Sequence, residues 1–211
     1  MTPSTVRVIA VVVGLAYGAA LSIGGVQLTS LAQKIVGYFP TVAVVLAVVF
    51  DKWAWKWPGL TLVVGRPRLE GTWTVSLKPD ERSHIPEGGN RGPIPGYICI
   101  EQTGFTIHIT QYTKESTSDS TACKIIPNGE SKERRTLGFL YRNEAKQEHQ
   151  HRSPTHAGAC ELRVSGLEPR ELEGRYWTGR FTAGDMTLSL LDRDTCYGSF
   201  TELEEKFGNT V

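Results

Sequence analysis

Nineteen consecutive residues, Val8 to Val26, carry no charge, and no other feature limits so strongly what this chain can fold into. As a helix they would be about 28 Å long, close to the roughly 30 Å hydrocarbon core of a bilayer. They predict a membrane span over about 8–26. A second apolar run, Ile35 to Phe50, is 16 residues long. Trp53, Trp55 and Trp57 follow it as an interfacial belt and Lys52 and Lys56 can snorkel to headgroups, which predicts a second span over about 35–50. The competing reading of the first run is a secretory signal peptide, with Arg7 as its basic region and the small residues around Ala16 and Ala20 as its cleavage site. A cleaved leader leaves the second run unexplained, whereas a helical hairpin turning between Gln27 and Lys34 explains both. Lys52, Lys56, Arg66 and Arg68 follow the second span and the turn holds only Lys34, so the positive-inside bias puts both termini in the cytoplasm.

A chain of 211 residues leaves room for one ordinary domain beyond this hairpin. The expected organisation is a two-helix transmembrane region over 1–57, a short stiff linker over 58–68 broken by Pro58, Gly59, Gly65 and Pro67, and a soluble domain over 69–207. The formal net charge of +1 argues against a general DNA or RNA surface, which needs a basic excess. Cys99, Cys123, Cys160 and Cys196 form no CxxC pair and no zinc spacing. They read as free thiols in a reducing compartment, with two disulfides as the alternative if the topology is inverted.

Period-2 alternation dominates from Leu69 onward. Gly71, Trp73, Val75 and Leu77 alternate with Thr72, Thr74 and Ser76, the pattern of a half-buried strand. Similar runs occupy Gly96–Gln102, Phe105–Tyr112, Thr121–Ile126, Arg135–Arg142, Gly158–Ser165, Glu173–Phe181, Asp185–Asp192 and Tyr197–Leu203, the last able to close with a helical turn over Glu202–Phe207. The expected fold is therefore mainly β: an up-and-down antiparallel barrel of about eight strands, lipocalin-like, preceded by the two-helix transmembrane hairpin, since closure removes the unpaired edges. Leu69-Glu70-Gly71 and Leu172-Glu173-Gly174 each precede an aromatic strand, and their glycines suit places where strands bend at a barrel end. The Gly- and Pro-rich stretch Pro79–Pro95 is long for a hairpin loop and lacks the strand-GxxxxGK-helix setting of a P-loop.

Motifs for catalysis are missing: there is no GxSxG, no HExxH and no pair of carboxylates on a clear scaffold, so the domain is expected not to be an enzyme and to have no catalytic residues. His149, His151 and His156 lie near Glu148 in a polar loop without the rigid scaffold of a tetrahedral site, so neither a metal nor a cofactor is expected. The barrel interior can hold one small ligand. The candidate ligand-binding residues are Trp73, Tyr97, Tyr141, Arg142, Tyr176, Trp177 and Arg180, because aromatic faces stack on bases and an Arg fork grips phosphate. The alternative is that the rings fill the core and the arginines are solvated. In the first helix Gly14, Gly18 and Ser22 form a small-residue ladder that permits close helix approach, either within the hairpin or between copies of the chain.

Two short transmembrane helices, a tryptophan-rich exit, a Leu69-Glu70-Gly71-Thr72-Trp73 strand, a Gly174 to Thr178 strand and a Gly184 to Leu190 strand together resemble the membrane-anchored β-barrel effectors of bacterial cyclic-oligonucleotide-based anti-phage signalling (CBASS). The resemblance implies a cytoplasmic barrel that binds a cyclic di- or oligonucleotide made by a partner nucleotidyltransferase. It also implies homo-oligomerisation on activation and disruption of the lipid bilayer of the inner membrane, ending in abortive-infection cell death. The alternative is a membrane-anchored lipocalin-like protein that binds lipid or another small molecule; a third reading is a structural membrane subunit without a ligand.

Overall fold

The computed structural model of the chain describes residues 30–85, 87–129, 134–193 and 196–208, together with Gly14, Tyr17 and Gly18. The chain falls into two compact units, Met1–Val64 with Thr103–Thr106, and Gly65–Gln102 with Ile107–Val211.

In the first unit, helix α1 spans Ser30–Lys52, a 3₁₀ turn covers Ala54–Lys56 and helix α2 spans Pro58–Val64. The stiff linker expected from 58 is thus helical in its first half. Pro58 occupies the first helical position, where its missing N–H costs nothing and its fixed φ suits the helix. Most of the expected span 8–26, including Ser22, lies outside the described residues. The span 35–50 falls within α1, whose side chains are described at Tyr38 and from Val42 on. Among the described residues no helix is long and apolar enough to cross a membrane.

In the second unit, eight strands follow one another around a closed antiparallel barrel: β1 (Gly71–Pro79), β2 (Ile94–Gln102), β3 (Ile107–Thr113), β4 (Ser116–Pro127), β5 (Arg134–Ala145), β6 (His156–Ser165), β7 (Glu171–Thr178) and β8 (Ala183–Asp192). β1 closes the cylinder on β8, with Val75 opposite Leu188 and Leu77 opposite Met186. The mainly-β barrel expected from the alternation is therefore the fold of this unit.

The expected ninth strand, Tyr197–Leu203, is not one. Helix α3 (Phe200–Phe207) starts there instead, because Ser199 Oγ accepts the Glu202 N–H at 3.2 Å and Glu202 Oε2 accepts the Gly198 N–H at 3.2 Å. This reciprocal capping satisfies donors that a strand would have paired with a neighbour. α3 lies along β2, where the Tyr97 and Phe200 rings stand 5.7 Å apart.

The four cysteines also depart from the expectation of free thiols. Cys99 of β2 and Cys196 form a disulfide across 97 residues of sequence, while Cys123 and Cys160 remain thiols. Neither partner sits in a recognisable spacing; the barrel wall and the returning C-terminal segment bring them together.

Packing divides the barrel interior along its axis. The end that follows the linker is filled by Leu69, Trp73, Ile98, Ile100, Ile109, Leu137, Leu162, Val164, Leu172 and Leu188, each at most 2 % exposed. The chain is stitched shut at that end. Gln102 accepts the Leu69 N–H at 2.7 Å and donates to the Pro67 carbonyl at 2.9 Å. Arg193 donates to the carbonyls of Arg68 and Pro169, each at 2.6 Å. Gly71 allows the close seam there. Its φ is 121°, and a Cβ would stand 2.3 Å from the Asp192 carbonyl oxygen. Gly174, its counterpart in the repeated tripeptide, lies in regular pairing within β7, opposite Leu162 and Met186, and there too a Cβ would overlap a backbone carbonyl oxygen, that of Glu161.

Candidate functional site

Toward the other end the lumen opens. Strand alternation sends every second residue inward, and the ladder registers stack these residues in levels. Just above the apolar floor, Phe139, Cys160, Tyr176 and Gly184 form one level. Ser120, Tyr141, Gly158 and Thr178 form the next. Gly158 is required here by close approach: a Cβ on it would lie 2.3 Å from Tyr141 Cζ, so only glycine leaves room for the ring. Above them runs a belt of polar side chains, Gln111, Ser118, Asn143 and His156, on four adjacent strands β3 to β6.

Cys160, Tyr176, Tyr141 and Thr178 from these levels, together with the polar belt, line a cavity of about 830 Å³, within the range of small-molecule sites, roughly 300 to 1,000 Å³. Its mouth carries Lys114, Arg152 and Arg180, and the Gly88–Asn90 stretch of the long β1–β2 loop lines it. Arg180, in the β7–β8 turn, is anchored by Nη1 donating to Ser153 Oγ at 2.7 Å and Nη2 donating to the Arg152 carbonyl at 2.9 Å. Arg152 in turn pairs with Glu115 at 2.6 Å. Two guanidinium groups are thus held at the rim by contacts that leave further N–H donors to spare, since each fork carries five.

The protonation states suit a polar but uncharged interior. Burial pushes the Tyr176 phenol up to about 12, assisted by the neighbouring Cys160 and Asp185. Burial likewise raises Tyr141 and the Cys160 thiol. Burial lowers His156, and the Arg180 charge adds to that, against the Pro154 carbonyl that favours the cation. All four are therefore neutral near pH 7, and the positive charge is confined to the rim.

The seven residues expected at a ligand site separate cleanly. Tyr141, Tyr176 and Arg180 line the cavity. Tyr97 lies at its edge, buried beneath α3, where its hydroxyl donates to Glu204 Oε2 at 3.1 Å. Burial and then this carboxylate hold that phenol at about 12. Trp73 is fully buried in the apolar floor, its Nε1 donating to the Leu69 carbonyl at 3.0 Å. Arg142 and Trp177 occupy outward positions: Arg142 pairs with Glu144 at 3.4 Å in solvent, and Trp177 is 45 % exposed. Each is one residue from an inward neighbour, so one step of the strand period puts it on the other face. Residue type does not single out Gln111, Ser118 and Asn143, and it brings in His156 only as part of a histidine cluster weighed for metal. Their signal lies in the registers that set four polar residues side by side, which a single sequence does not display. Among the described residues no three His, Cys, Asp or Glu side chains gather as metal ligands; His149 instead lies 3.4 Å from Glu148.

Comparison with known proteins bears on this geometry. Residues 64–189, which include seven strands and most of the eighth, match the family described as Cap15, cyclic dinucleotide receptor domain. The chain is also 27 % identical over 157 residues to CD-NTase-associated protein 15 of Staphylococcus schleiferi, covering 74 % of this chain and 79 % of that one. The matched stretch contains the apolar floor, the tyrosine levels, the polar belt and the arginine rim, and the chain belongs to the Cap15 cyclic dinucleotide receptor domain family.

Proposed function

We propose that this chain is a non-enzymatic effector of CBASS anti-phage defence, whose barrel binds a cyclic di- or oligonucleotide made by a partner nucleotidyltransferase. The observation that carries the reading is the axial division of the lumen: a packed apolar floor, neutral tyrosines and a polar belt above it, and two anchored arginines at the mouth. Bases need flat apolar faces and hydrogen-bonding edges, whereas phosphates need cations that stay charged. A fatty acid would place its chain against the belt of Gln111, Ser118, Asn143 and His156 and strand their polar groups, which disfavours the lipid-carrier alternative.

In this reading segments 8–26 and 35–50 anchor the chain in the bacterial inner membrane with the barrel in the cytoplasm. Ligand binding favours an assembled state, because a ligand shifts an equilibrium by its differential affinity for the two states. The Gly14, Gly18 and Ser22 ladder supplies a face for helix self-association, and the assembled helices breach the bilayer and kill the infected cell.

The test is a thermal melt of the full chain in detergent with a panel of cyclic dinucleotides and, separately, fatty acids. At least one cyclic dinucleotide is expected to raise the midpoint, with fatty acids inert; the reverse preference would reject the proposal. In the same assay Arg180→Ala is expected to weaken binding by about 10- to 100-fold, the loss of charge-assisted hydrogen bonds to phosphate. Arg142→Ala, on the outer wall, is expected to leave affinity within about twofold.

A further inference from the structure

Among the described residues, few contacts hold α3 to the barrel. Leu203 is its one buried side chain, the Phe200 ring stands 5.7 Å from that of Tyr97, and the Tyr97 hydroxyl donates to Glu204 Oε2 at 3.1 Å. Lys206 lies 3.9 Å from Asp192 at the surface, where an ion pair contributes little. A helix of eight residues does not persist alone in water, so a detached α3 is a coil. The covalent tie is the Cys99–Cys196 disulfide. Tyr97 and Cys99 are neighbours on one face of β2, and Cys196 comes shortly before Phe200. The sulfur bridge and the helix thus grip the same stretch of wall.

α3 is also part of the cavity. Phe200, Glu204 and Gly208 line it together with Tyr97, so a detached helix removes an aromatic ring and a length of wall. It also removes the Glu204 carboxylate, which disfavours an anionic ligand. That side chain is exposed and its charge is screened by water and salt, so the loss of enclosure decides the sign.

Resting on the cyclic-nucleotide reading, we propose that Cys99 and Cys196 are a redox switch on ligand affinity: the oxidised pair keeps α3 as a preformed cavity wall and the reduced pair releases it. A thiolate of glutathione, or of a dithiol, attacks one sulfur of the bridge and expels the other; a second donor thiolate then attacks the mixed disulfide. The protein S–S bond breaks, both cysteines end as protonated thiols, and the donor leaves as its own disulfide. Once α3 is free, a ligand must order it again on binding, which lowers affinity. Coupling is reciprocal, so the factor that oxidation adds to affinity is the factor by which a bound ligand raises the oxidised-to-reduced ratio at equilibrium.

The experiment measures affinities of the full chain in detergent by calorimetry for cyclic di-AMP, cyclic di-GMP and cyclic GMP-AMP, in oxidised glutathione and in dithiothreitol. The dinucleotide bound most tightly is expected to lose about fivefold or more in affinity on reduction, the lower end of ordinary coupling between sites, with stoichiometry unchanged. Cys196→Ser is expected to show the reduced affinity in both buffers. Leu203→Asp, which detaches α3 and leaves the sulfurs alone, is expected to bind weakly in both. In a glutathione buffer of fixed ratio, saturating amounts of the same dinucleotide are expected to raise the oxidised-to-reduced ratio by the same factor, read by alkylation; this measurement needs no variant. Equal affinities of the two wild-type forms, a fall in stoichiometry with affinity kept, a redox dependence that survives Leu203→Asp, or an unmoved thiol ratio would overturn the switch and leave the receptor reading standing. Failure of all three dinucleotides to bind either form would overturn both.

Discussion

Replacing Trp73 by alanine is expected to cost the barrel about 4 kcal/mol of unfolding free energy, the middle of the range for deleting a buried aromatic side chain. The ring is fully buried in the floor beside Leu69, Val75 and Leu188, its Nε1 is committed to the Leu69 carbonyl, and the Arg193 guanidinium lies 5.8 Å from its centre. Removing it leaves a cavity, an unpaired carbonyl and an arginine without its ring at the point where β1 and β8 close the cylinder. Denaturant titration of the variant checks this. A loss below about 1 kcal/mol would mean that the ring is not buried in the floor. Because Trp73 does not line the open half, variant that remains folded should retain its ligand preference.

Cleaving the Cys99–Cys196 disulfide is expected to destabilise the chain by about 3 kcal/mol. The bond joins the middle of β2 to the segment entering α3 and closes a loop of 97 residues by sequence separation. Chain-entropy arguments give about 4.7 kcal/mol for a loop near that length, and measured values commonly fall at 2 to 4. The lost constraint should be felt first at α3, where Glu204 holds the Tyr97 hydroxyl. Denaturation with and without dithiothreitol, together with Cys196→Ser, measures the effect. Coincident transitions in all three samples would show that the sulfurs are not joined in solution. The same pair reports on compartment. A cytoplasmic barrel meets a reducing glutathione pool, so alkylation in intact cells should find both thiols free there, and an oxidised pair in cells would argue against the proposed orientation.

Much of the barrel was legible in the sequence because its determinants are local. Alternation such as Trp73, Val75 and Leu77 against Thr72, Thr74 and Ser76 names an inward face, and the absence of crossover helices between Leu69 and Asp192 leaves little but a meander. What misled at Tyr197–Leu203 was that alternation continued into a segment whose start is ruled by one serine and one glutamate. The disulfide was hidden for a different reason, since pairing across 97 residues depends on where the C-terminal segment returns. For the site, residue type alone could name Tyr141, Tyr176 and Arg180 as candidates but could not separate these cavity-lining residues from Arg142 and Trp177. That distinction depends on which face a strand residue occupies and how far along the barrel axis it sits. Asn143 carries no signal of its own in the sequence, because an asparagine in a strand is ordinary until its register with Ser118 and His156 is known.

The most direct test is to locate the bound ligand, by crystallography of the full chain with the cyclic dinucleotide that most raises its melting midpoint. Density is expected inside the barrel, with base atoms in contact with Tyr141, Asn143 or Tyr176 and phosphate oxygens near Arg152 and Arg180. A second recess of about 640 Å³ lies on the outer side, lined by Lys78, Arg82, Arg175 and Trp177 among others. A ligand seated there, with Tyr141 and the polar belt untouched, would contradict the claim that the lumen is the sensor.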